Sequence, residues 1–450
     1  MKKKILSIVC IFAIMISVGC SNKNKEPVTV TLWHVYGAQT ESPMNKMIDV
    51  FNNTVGKDKN IKVKVTSVSN NNTIHENVLA SAFKDPGAPE LPDMFVSYPK
   101  TILAMPDSDI LVDYNDYFSK KEFDEYVSEF LEDGKIDNKQ LIMPVAKSTE
   151  VLFLNKTAFD RFAEAVGADE SDLQTWEGLF ALAEKYYNWT DDKTPDIEDD
   201  GKAFFAHDFH FNYFQVGVES LGENFFINDN LSYNDEFYNI WKPYAHAALN
   251  GAVWLENGYA TDPFQTGDAI VCAASSASIL YFSDTVTYSD NTSEELKITA
   301  LPIPVFENGD NLVIQRGAGI CTVKSTKEKE QACAEFLKWI TEETNNVEFV
   351  VNTGYMPVKT KAFEKKLPDA IKELEEDDYI SLYEAYTDTE KKFEFYTPPV
   401  FEKYLEIESE FEEQIRLCLM TQKSALYENE EVSDEQIKKA FDAFKIIMEK

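Results

Sequence analysis

Positive charge is scarce in this chain of 450 residues, in which 78 aspartates and glutamates stand against 43 lysines and arginines. The formal net charge is −35, and only three of the basic residues are arginines, namely Arg161, Arg316 and Arg416. Such a surface repels nucleic acid and anionic lipid, because both carry negative charge. We therefore predict no nucleic-acid partner. The hydrophobic fraction of 44% still indicates a globular protein, and its length allows two large lobes.

Cysteine is also rare, with six residues in the whole chain and no Cys-x-x-Cys pair. This spacing signals neither a zinc site nor a redox centre. Cys272, Cys321, Cys333 and Cys418 have apolar neighbours, so we expect them to be small buried side chains. An exported protein can form a disulfide, but the spacing of these cysteines specifies none.

Catalytic signatures are missing, because the sequence contains no G-x-S-x-G elbow, H-E-x-x-H helix, Walker loop or G-x-G-x-x-G turn. His207 and His210 have a spacing that suits a metal on a helix, but their aromatic neighbours favour a loop without metal. The acidic segment 191–202 lacks calcium-loop spacing and is interpreted as a solvated hairpin or insertion. We predict no catalytic residue, metal or cofactor. Composition does not exclude a glycosidase carboxylate pair, so a secreted carbohydrate-active enzyme remains an alternative.

Long apolar runs are absent except at the N-terminus. Residues 1–20 combine three lysines, an apolar run and small residues before Cys20, which predicts a signal peptide. Residues 21–27 follow as a polar tether. Cys20 resembles the modified cysteine of bacterial lipoproteins, which implies a lipid anchor on the extracytoplasmic side of the cell membrane. A soluble secreted protein with an unmodified Cys20 is the alternative.

Strand and helix patterns alternate after the tether. Residues 28–32 alternate apolar and polar side chains, residues 43–55 repeat apolar side chains at helical spacing, and residues 61–68 alternate again. This order predicts an α/β fold with a largely parallel sheet, and ligands are expected beyond the carboxyl ends of its strands. From about residue 365 onward the pattern is helical.

The segment TGYMPVKTKAF, residues 353–363, follows a long helical pattern. Gly354 is a typical helix stop, and Pro357 predicts a turn or crossover that leaves Tyr355 on a stiff corner. Tyr355 there suits either packing or a ligand contact. Aromatic residues in predicted loops, beside Ser, Asn and Asp, also suit a sugar or polyol. These loop aromatics are Trp33, Tyr36, Tyr98, Phe209, Phe211, Trp254, Tyr281 and Tyr355.

Eight segments follow one another in an order typical of a known family. They are VTLWHVY, PDMFVSY, MPVAKSTEVLFLNKTAF, TWEGLFALAEK, FQTGDAIVCAASSAS, ALPIPV, RGAGICTVKSTKEKEQACAEFLKWIT and TGYMPVKTKAF. Over most of residues 28–363 the chain resembles the extracellular solute-binding proteins of ABC importers for sugars and glycerol-3-phosphate. The resemblance implies a two-lobed periplasmic-binding-protein-like fold of type II, with a ligand cleft between lobes joined by hinge strands. Lobe one is then 27–147 plus 314–357, and lobe two is 148–313 plus 358–450.

The resemblance to the glycerol-3-phosphate branch also implies a set of ligand contacts. Hydroxyls and a close-approach glycine suit hydrogen bonds to a polyhydroxylated solute, and rings suit stacking. The matching positions are Ser148, Ser275 or Ser276, Gly317, Tyr355, and Phe209 or Phe211, to which we add the loop aromatics Tyr36, Tyr98 and Trp254.

One position departs from that branch, which places an arginine on the phosphate where this chain offers Glu406. A carboxylate repels phosphate but accepts hydrogen bonds from sugar hydroxyls, so we predict a neutral sugar or oligosaccharide. Glycerol-3-phosphate or another polyol phosphate is the alternative. Arg316 is the only guanidinium near a proposed contact. If its side chain faces the cleft, the site would also accept an acidic or phosphorylated sugar; if it lies exposed on a strand, it has no bearing on the solute. The resemblance further implies permease and ATPase partners, and we expect a monomer.

Overall fold

The computed structural model describes residues 26–36, 42–68, 70–197, 199–351, 353–426 and 432–449. The predicted signal peptide, residues 21–25 of the tether and the predicted lipidation site Cys20 lie outside these residues. Within the described ranges, no helix is both long and apolar enough to cross a membrane.

Strands and helices alternate through most of the chain. The strands are β1 (Val28–His34), β2 (Ile61–Val68), β3 (Met94–Ser97), β4 (Lys135–Ile136), β5 (Lys139–Gln140), β6 (Met143–Pro144), β7 (Ser148–Asn155), β8 (Phe205–His207), β9 (Phe226–Ile227), β10 (Asn230–Leu231), β11 (Val253–Trp254), β12 (Val271–Ser275), β13 (Thr285–Thr287), β14 (Ser293–Glu295), β15 (Ile298–Pro302), β16 (Leu312–Arg316), β17 (Gly319–Thr322) and β18 (Glu394–Tyr396).

The α-helices are α1 (Pro43–Asn53), α2 (Val55–Lys59), α3 (Asn71–Phe83), α4 (Pro99–Leu103), α5 (Lys120–Phe123), α6 (Ser128–Glu132), α7 (Lys156–Val166), α8 (Trp176–Asp191), α9 (His210–Ser220), α10 (Asp235–Leu249), α11 (Thr261–Thr266), α12 (Lys327–Ile340), α13 (Glu343–Val350), α14 (Leu367–Ile371), α15 (Asp377–Lys392), α16 (Tyr404–Ser424) and α17 (Asp434–Met448). Short 3-10 helices cover Ser108–Ile110, Tyr114–Asp116, Glu170–Gln174 and Ser276–Tyr281, and a π-helical turn covers Ala362–Lys366.

The first sheet has five strands in the order β2-β1-β3-β17-β6. Strands β1, β2 and β3 run parallel, whereas β17 is antiparallel to both of its neighbours. Val30 and Leu32 of β1 are fully buried. Helices cover this sheet, and Phe51 of α1 meets Phe336 of α12 with ring centroids 5.2 Å apart. Period-2 alternation in the sequence therefore marks the strand face that packs against helices.

The second sheet is built around β7, whose eight residues are all buried. Its order is β11-β8-β12-β7-β16-β18, and β15 also pairs with β7. Strand β7 is antiparallel to β12, β15 and β16, while β8 pairs with β11 and β12 in parallel and β16 pairs with β18 in parallel. Both sheets are therefore mixed, and the expectation of a largely parallel sheet was wrong. The reason is that β7 enters from the other sheet through a short connection, so no helical crossover sets its direction.

Three chain segments cross between the two halves of the molecule and meet at Lys147. Lys147 connects β6 to β7, and Gly317 stands between β16 and β17. The backbone N–H of Met356 donates to the Lys147 carbonyl at 2.6 Å, and the Lys147 N–H donates back to the Met356 carbonyl at 3.1 Å. The buried ammonium of Lys147 donates to Asp133 Oδ2 at 2.7 Å and to the Gly317 carbonyl at 3.2 Å. The first crossing is thus hydrogen-bonded to each of the other two.

The four described cysteines are buried and form no disulfide with one another. Their burial confirms the prediction that they act as small core side chains. The residues concerned are Cys272, Cys321, Cys333 and Cys418.

The polar clusters considered for metals take other roles. In the acidic segment, Asp191 Oδ1 accepts hydrogen bonds from the backbone N–H groups of Asp200 and Gly201 at 2.8 and 3.1 Å. His207 ends β8 and His210 begins α9, so the pair lies at a strand-to-helix junction and not within a long loop. Among the described residues, no group of three or more His, Cys, Asp or Glu side chains is placed to hold a metal ion.

Candidate functional site

Three tyrosines from distant parts of the sequence meet beside the crossing segments. Tyr36 follows β1, Tyr98 follows β3, and Tyr355 stands directly before Met356. The rings of Tyr36 and Tyr355 meet edge to face, with centroids 5.6 Å apart. Burial raises the pKa of Tyr98 to about 12, and burial followed by the neighbouring Tyr98 raises the pKa of Tyr355. The phenols therefore stay neutral and offer both donors and acceptors.

The turn that carries Tyr355 is held rigidly. The preceding helical pattern is two helices, of which α13 ends at Val350, four residues before Gly354. Gly354 has φ +70°, and a Cβ there would lie 2.6 Å from the Ser276 carbonyl oxygen. The Tyr386 hydroxyl donates to the Gly354 carbonyl at 2.6 Å. Glycine is required at this corner by backbone geometry and by the close approach of a neighbouring strand end.

The predicted hydroxyl and glycine positions gather around the same crossings. Ser148 and Ser276 are buried, whereas Ser275 is half-buried and accepts a hydrogen bond from its own turn, through the N–H of residue 277 at 3.3 Å. Gly317 has φ +101°, and a Cβ there would lie 3.1 Å from Lys147 Cα. Close backbone approach at the crossing is thus sufficient to explain this glycine.

Arg316 is the residue whose surroundings decide most about the site. Its guanidinium carbon lies 3.9 Å from the ring centroid of Phe209, and Nη1 lies 3.5 Å from Glu150 Oε1. Its side chain is 26% exposed. Glu150 is buried and accepts a hydrogen bond from Asn212 Nδ2 at 2.6 Å. Arg316 is therefore stacked and anchored on one side, with other N–H groups left for a ligand.

Charges from both halves of the molecule surround this guanidinium. Burial raises the pKa of the half-buried Glu408 carboxyl, although Arg316 and Lys100 oppose that rise. Lys100 is the second residue of α4, two residues after Tyr98, and its ammonium lies 5.5 Å from the centroid of the Tyr98 ring. Glu406, which the resemblance matched to the phosphate-binding arginine, is exposed. Glu408, two residues further along α16, is the carboxylate of this helix that interacts electrostatically with Arg316.

A cavity of about 360 Å³ is lined in part by Phe209. It is open to solvent and combines aromatic rings with hydroxyl, amide, carboxylate and guanidinium groups. Its lining consists of Asp208, Phe209, Asn257, Gly258, Tyr259, Ser409, Glu412, Glu413 and Arg416.

Phe211, one of the predicted ligand residues, lies elsewhere: it is fully buried and packs against Phe225 and Phe411 at centroid distances of 5.2 Å each, so it belongs to the core. Trp254 is half-buried and lies behind the cavity lining, since a Cβ on Gly258 would lie 3.3 Å from Trp254 Cη2. Tyr281, by contrast, is 59% exposed and lies near Tyr355 from the side of the second sheet.

Several residues of the site were missed in the sequence, although some left a signal there. Glu150 is the only charged side chain in the buried strand STEVLFLN, which is itself unusual because buried charges require partners. Glu412 and Arg416 stand four apart on α16, the spacing of a helical ion pair. The sequence contains no signal for Glu408 or Tyr259, because only the fold shows which way their side chains face.

Two sheets joined by three bonded crossings, with aromatic and charged side chains from both sides, define a two-lobed binding protein of the periplasmic type. The chain belongs to the bacterial extracellular solute-binding proteins, whose family model matches residues 46–376. Its location is therefore extracytoplasmic. No curated protein sequence matches the chain.

Solved structures share the fold over nearly the whole length. The cyclic alpha-maltosyl-1,6-maltose binding protein from Arthrobacter globiformis is 19% identical with a TM-score of 0.68, over 94% of this chain and 99% of that one. UgpB from Mycobacterium tuberculosis, in complex with glycerophosphocholine, is 15% identical with a TM-score of 0.67, over 94% of this chain and 99% of that one. An ABC substrate-binding protein from Listeria monocytogenes, in complex with cycloalternan, is 16% identical with a TM-score of 0.65, again over 94% and 99%. At these identities the similarity establishes the fold.

Proposed function

We propose that this protein captures a neutral sugar or oligosaccharide in the cleft between its lobes and delivers it to the permease of an ABC importer. The observation that carries the proposal is that the tyrosine cluster of Tyr36, Tyr98 and Tyr355 lies beside the Arg316–Phe209 pair at the crossings, because Tyr98 interacts electrostatically with Arg316. Rings for stacking and fixed polar groups for hydroxyls are the combination that a sugar requires. Structural neighbours that bind maltose-type and cyclic oligosaccharides support the same class of solute.

Lobe closure is the proposed signal to the permease and its ATPase. A solute that contacts Tyr98 in one lobe and Phe209 in the other, with Arg316 at the crossing between them, binds the closed state better than the open one, and so shifts the population toward it. No catalytic step is required. The protein would act as a monomer held near its permease by the lipid on Cys20.

The proposed lobes are 27–147 plus 314–357 and 148–313 plus 358–450. The first sheet draws its strands from residues 28–97, 143–144 and 319–322, and the second draws its strands from residues 148–316 and 394–396. This supports the division except at residues 314–316, which end β16 and pair with the second sheet, so the second crossing falls at Gly317. The Val127 N–H donates to the Val358 carbonyl at 3.1 Å, so the third crossing extends slightly beyond residue 357.

A polyol phosphate is the second candidate solute. Arg316 is half-buried and Lys100 lies nearby, and UgpB shares the fold in complex with glycerophosphocholine. The anchoring of Arg316 by Glu150 and the presence of Glu408 oppose it, because an anion entering the site meets two carboxylates.

Titration calorimetry and thermal shift with the purified protein separate the candidates. The panel contains maltose, longer maltooligosaccharides, cyclic tetrasaccharides, glycerol-3-phosphate and glycerophosphocholine. We expect a saccharide to bind and to raise the melting temperature, because a ligand that binds only the folded state stabilises it. Binding by the phosphates alone would overturn the neutral-sugar proposal. Product release from an oligosaccharide, lost on replacing one cleft carboxylate, would overturn the binding role in favour of an enzyme.

A further inference from the structure

We propose that the cavity next to Phe209 holds an additional sugar unit, so that the solute is an oligosaccharide reaching from the crossings to this cavity. This inference rests on the proposed function and names the length of its solute. Phe209 lines the cavity and also carries the Arg316 guanidinium on its ring, 3.9 Å from the centroid. The two regions therefore share a wall, and one extended solute can occupy both.

The size of the cavity suits a carbohydrate unit. Its volume is about 360 Å³, within the range of roughly 300–1,000 Å³ that small-molecule sites occupy. Its lining also contains every group that hydroxyls prefer as partners: an amide in Asn257, a hydroxyl in Ser409, carboxylates in Asp208 and Glu413, and a guanidinium in Arg416. Carboxylates outnumber cationic groups in this lining, which disfavours an anionic occupant.

The floor of the cavity is fixed before any solute arrives. Glu412 Oε1 accepts a hydrogen bond from the Phe211 backbone N–H at 2.7 Å, and Oε2 lies 2.9 Å from His210 Nδ1. Although burial alone raises it, His210 and Arg416 hold the pKa of Glu412 below its ordinary value. Glu412 is therefore a carboxylate acceptor at neutral pH. Such an acceptor costs no rearrangement when a sugar hydroxyl donates to it.

Arg416 retains donor capacity at this floor. Its guanidinium makes only long contacts: 3.3 Å from Nη2 to the Asp208 carbonyl, 3.5 Å from Nη2 to Glu412 Oε2, and 3.5 Å from Nε to His210 Nδ1. A guanidinium has five N–H donors. Shorter bonds to the hydroxyl oxygens of a solute are therefore available to Arg416.

Tyr259 stands at the mouth of the cavity on a rigid loop. Gly258 has φ +139°, and a Cβ there would lie 2.8 Å from Asp262 Oδ2. The Tyr259 N–H donates to Asp262 Oδ2 at 3.0 Å, and the Ala260 N–H donates to Asp208 Oδ1 at 2.6 Å. The Tyr259 side chain is nevertheless 71% exposed. A ring held in water by a hydrogen-bonded loop is preorganised to cover a sugar face without an entropic cost of ordering the loop.

The test compares solute lengths in the full protein and in two variants. Affinities for maltose, maltotriose and maltotetraose are measured by titration calorimetry, with the matching cellooligosaccharides as a second series. Tyr259→Ala removes the exposed ring, and Ile446→Ala is the matched control, because Ile446 is 57% exposed on α17 and outside the cavity lining. Melting temperatures of both variants check that each folds.

We expect one series to gain about tenfold in affinity on lengthening. Tyr259→Ala should abolish that gain while changing affinity for the shortest binding saccharide less than twofold, and Ile446→Ala should change nothing. Equal affinities along a series that binds, or a Tyr259→Ala loss that is the same at every length, overturn the extended site and leave the proposed function intact. Absence of binding by every saccharide overturns both.

Discussion

Replacing Tyr355 by alanine is the sharpest single test of the site. The ring meets Tyr36 edge to face at 5.6 Å, stands on the turn fixed by Gly354, and remains partly exposed. A favourable aromatic contact is worth about 0.5–1.5 kcal/mol, and a hydrogen bond through the hydroxyl adds about the same. We therefore expect Tyr355→Ala to weaken solute binding by about 1–3 kcal/mol, or roughly 5- to 150-fold in Kd.

Titration calorimetry with the best saccharide of the panel measures this loss, and Tyr355→Phe divides it between ring and hydroxyl. Tyr126→Phe is the control, since its buried hydroxyl bonds to Thr341 Oγ1 at 2.7 Å in the same half of the molecule. That change should lower the melting temperature and leave affinity unchanged. If Tyr355→Ala behaves like the control, with lost stability and full affinity, Tyr355 belongs to the core and the reasoning fails.

Three further predictions concern the crossings and the charges around them. Asp133→Asn should lower the free energy of unfolding by about 3 kcal/mol in urea denaturation, because it leaves the buried Lys147 ammonium without its 2.7 Å partner; an unchanged midpoint would show that water replaces the carboxylate. Gly354→Ala should cost at least about 1–2 kcal/mol for its left-handed backbone, and more for the approach to the Ser276 carbonyl; an unaltered melting temperature would contradict the corner geometry. Glu408→Gln should raise the melting temperature at pH 7, because a folded-state pKa above the ordinary value means that folding disfavours the charged form. For the same reason, protonation of Glu408 should increase the stability of the protein as pH falls through the folded-state pKa, and the Glu408→Gln variant should lack that increase.

Local signals in the sequence predicted the elements well where a single rule decides the outcome. A threonine followed closely by an acidic residue, as at Thr175, is typical of a helix start, and the Thr175 hydroxyl accepts the Gly178 N–H at 3.1 Å at the start of α8. Ser433 forms a capping box with Gln436 at the start of α17. The run from Val151 to Leu154 lies within the fully buried β7. Caps and buried runs depend on neighbours a few residues away, so they are visible without the fold.

Those local signals did not predict the relative directions of the strands or which side of a helix faces the site. The antiparallel pairing of β7 depends on where the chain crosses between sheets, which no local pattern encodes. On α16, Glu406 and Glu408 are about 200° apart around the helix axis at 100° per residue. Both are acidic in an acidic segment, so composition does not separate them. Packing against Phe211 and its neighbours turns Glu408 toward Arg316 and leaves Glu406 in water.

The setting of Arg316 argues for a neutral solute more strongly than its presence argues for an anionic one. A half-buried guanidinium alone would attract phosphate, but this one lies on Phe209 and is anchored by the buried Glu150. An incoming phosphate would gain Arg316 as a partner while facing Glu150 and Glu408 in a site of reduced dielectric, where repulsion is strengthened as much as attraction. A sugar hydroxyl accepts from the guanidinium and donates to either carboxylate, so it satisfies the same group without that penalty. The raised pKa of Glu408 makes the balance dependent on pH, because protonation removes one repelling charge and leaves Arg316 and Lys100 in place. Selection against anions is therefore expected to be strongest where Glu408 is ionised.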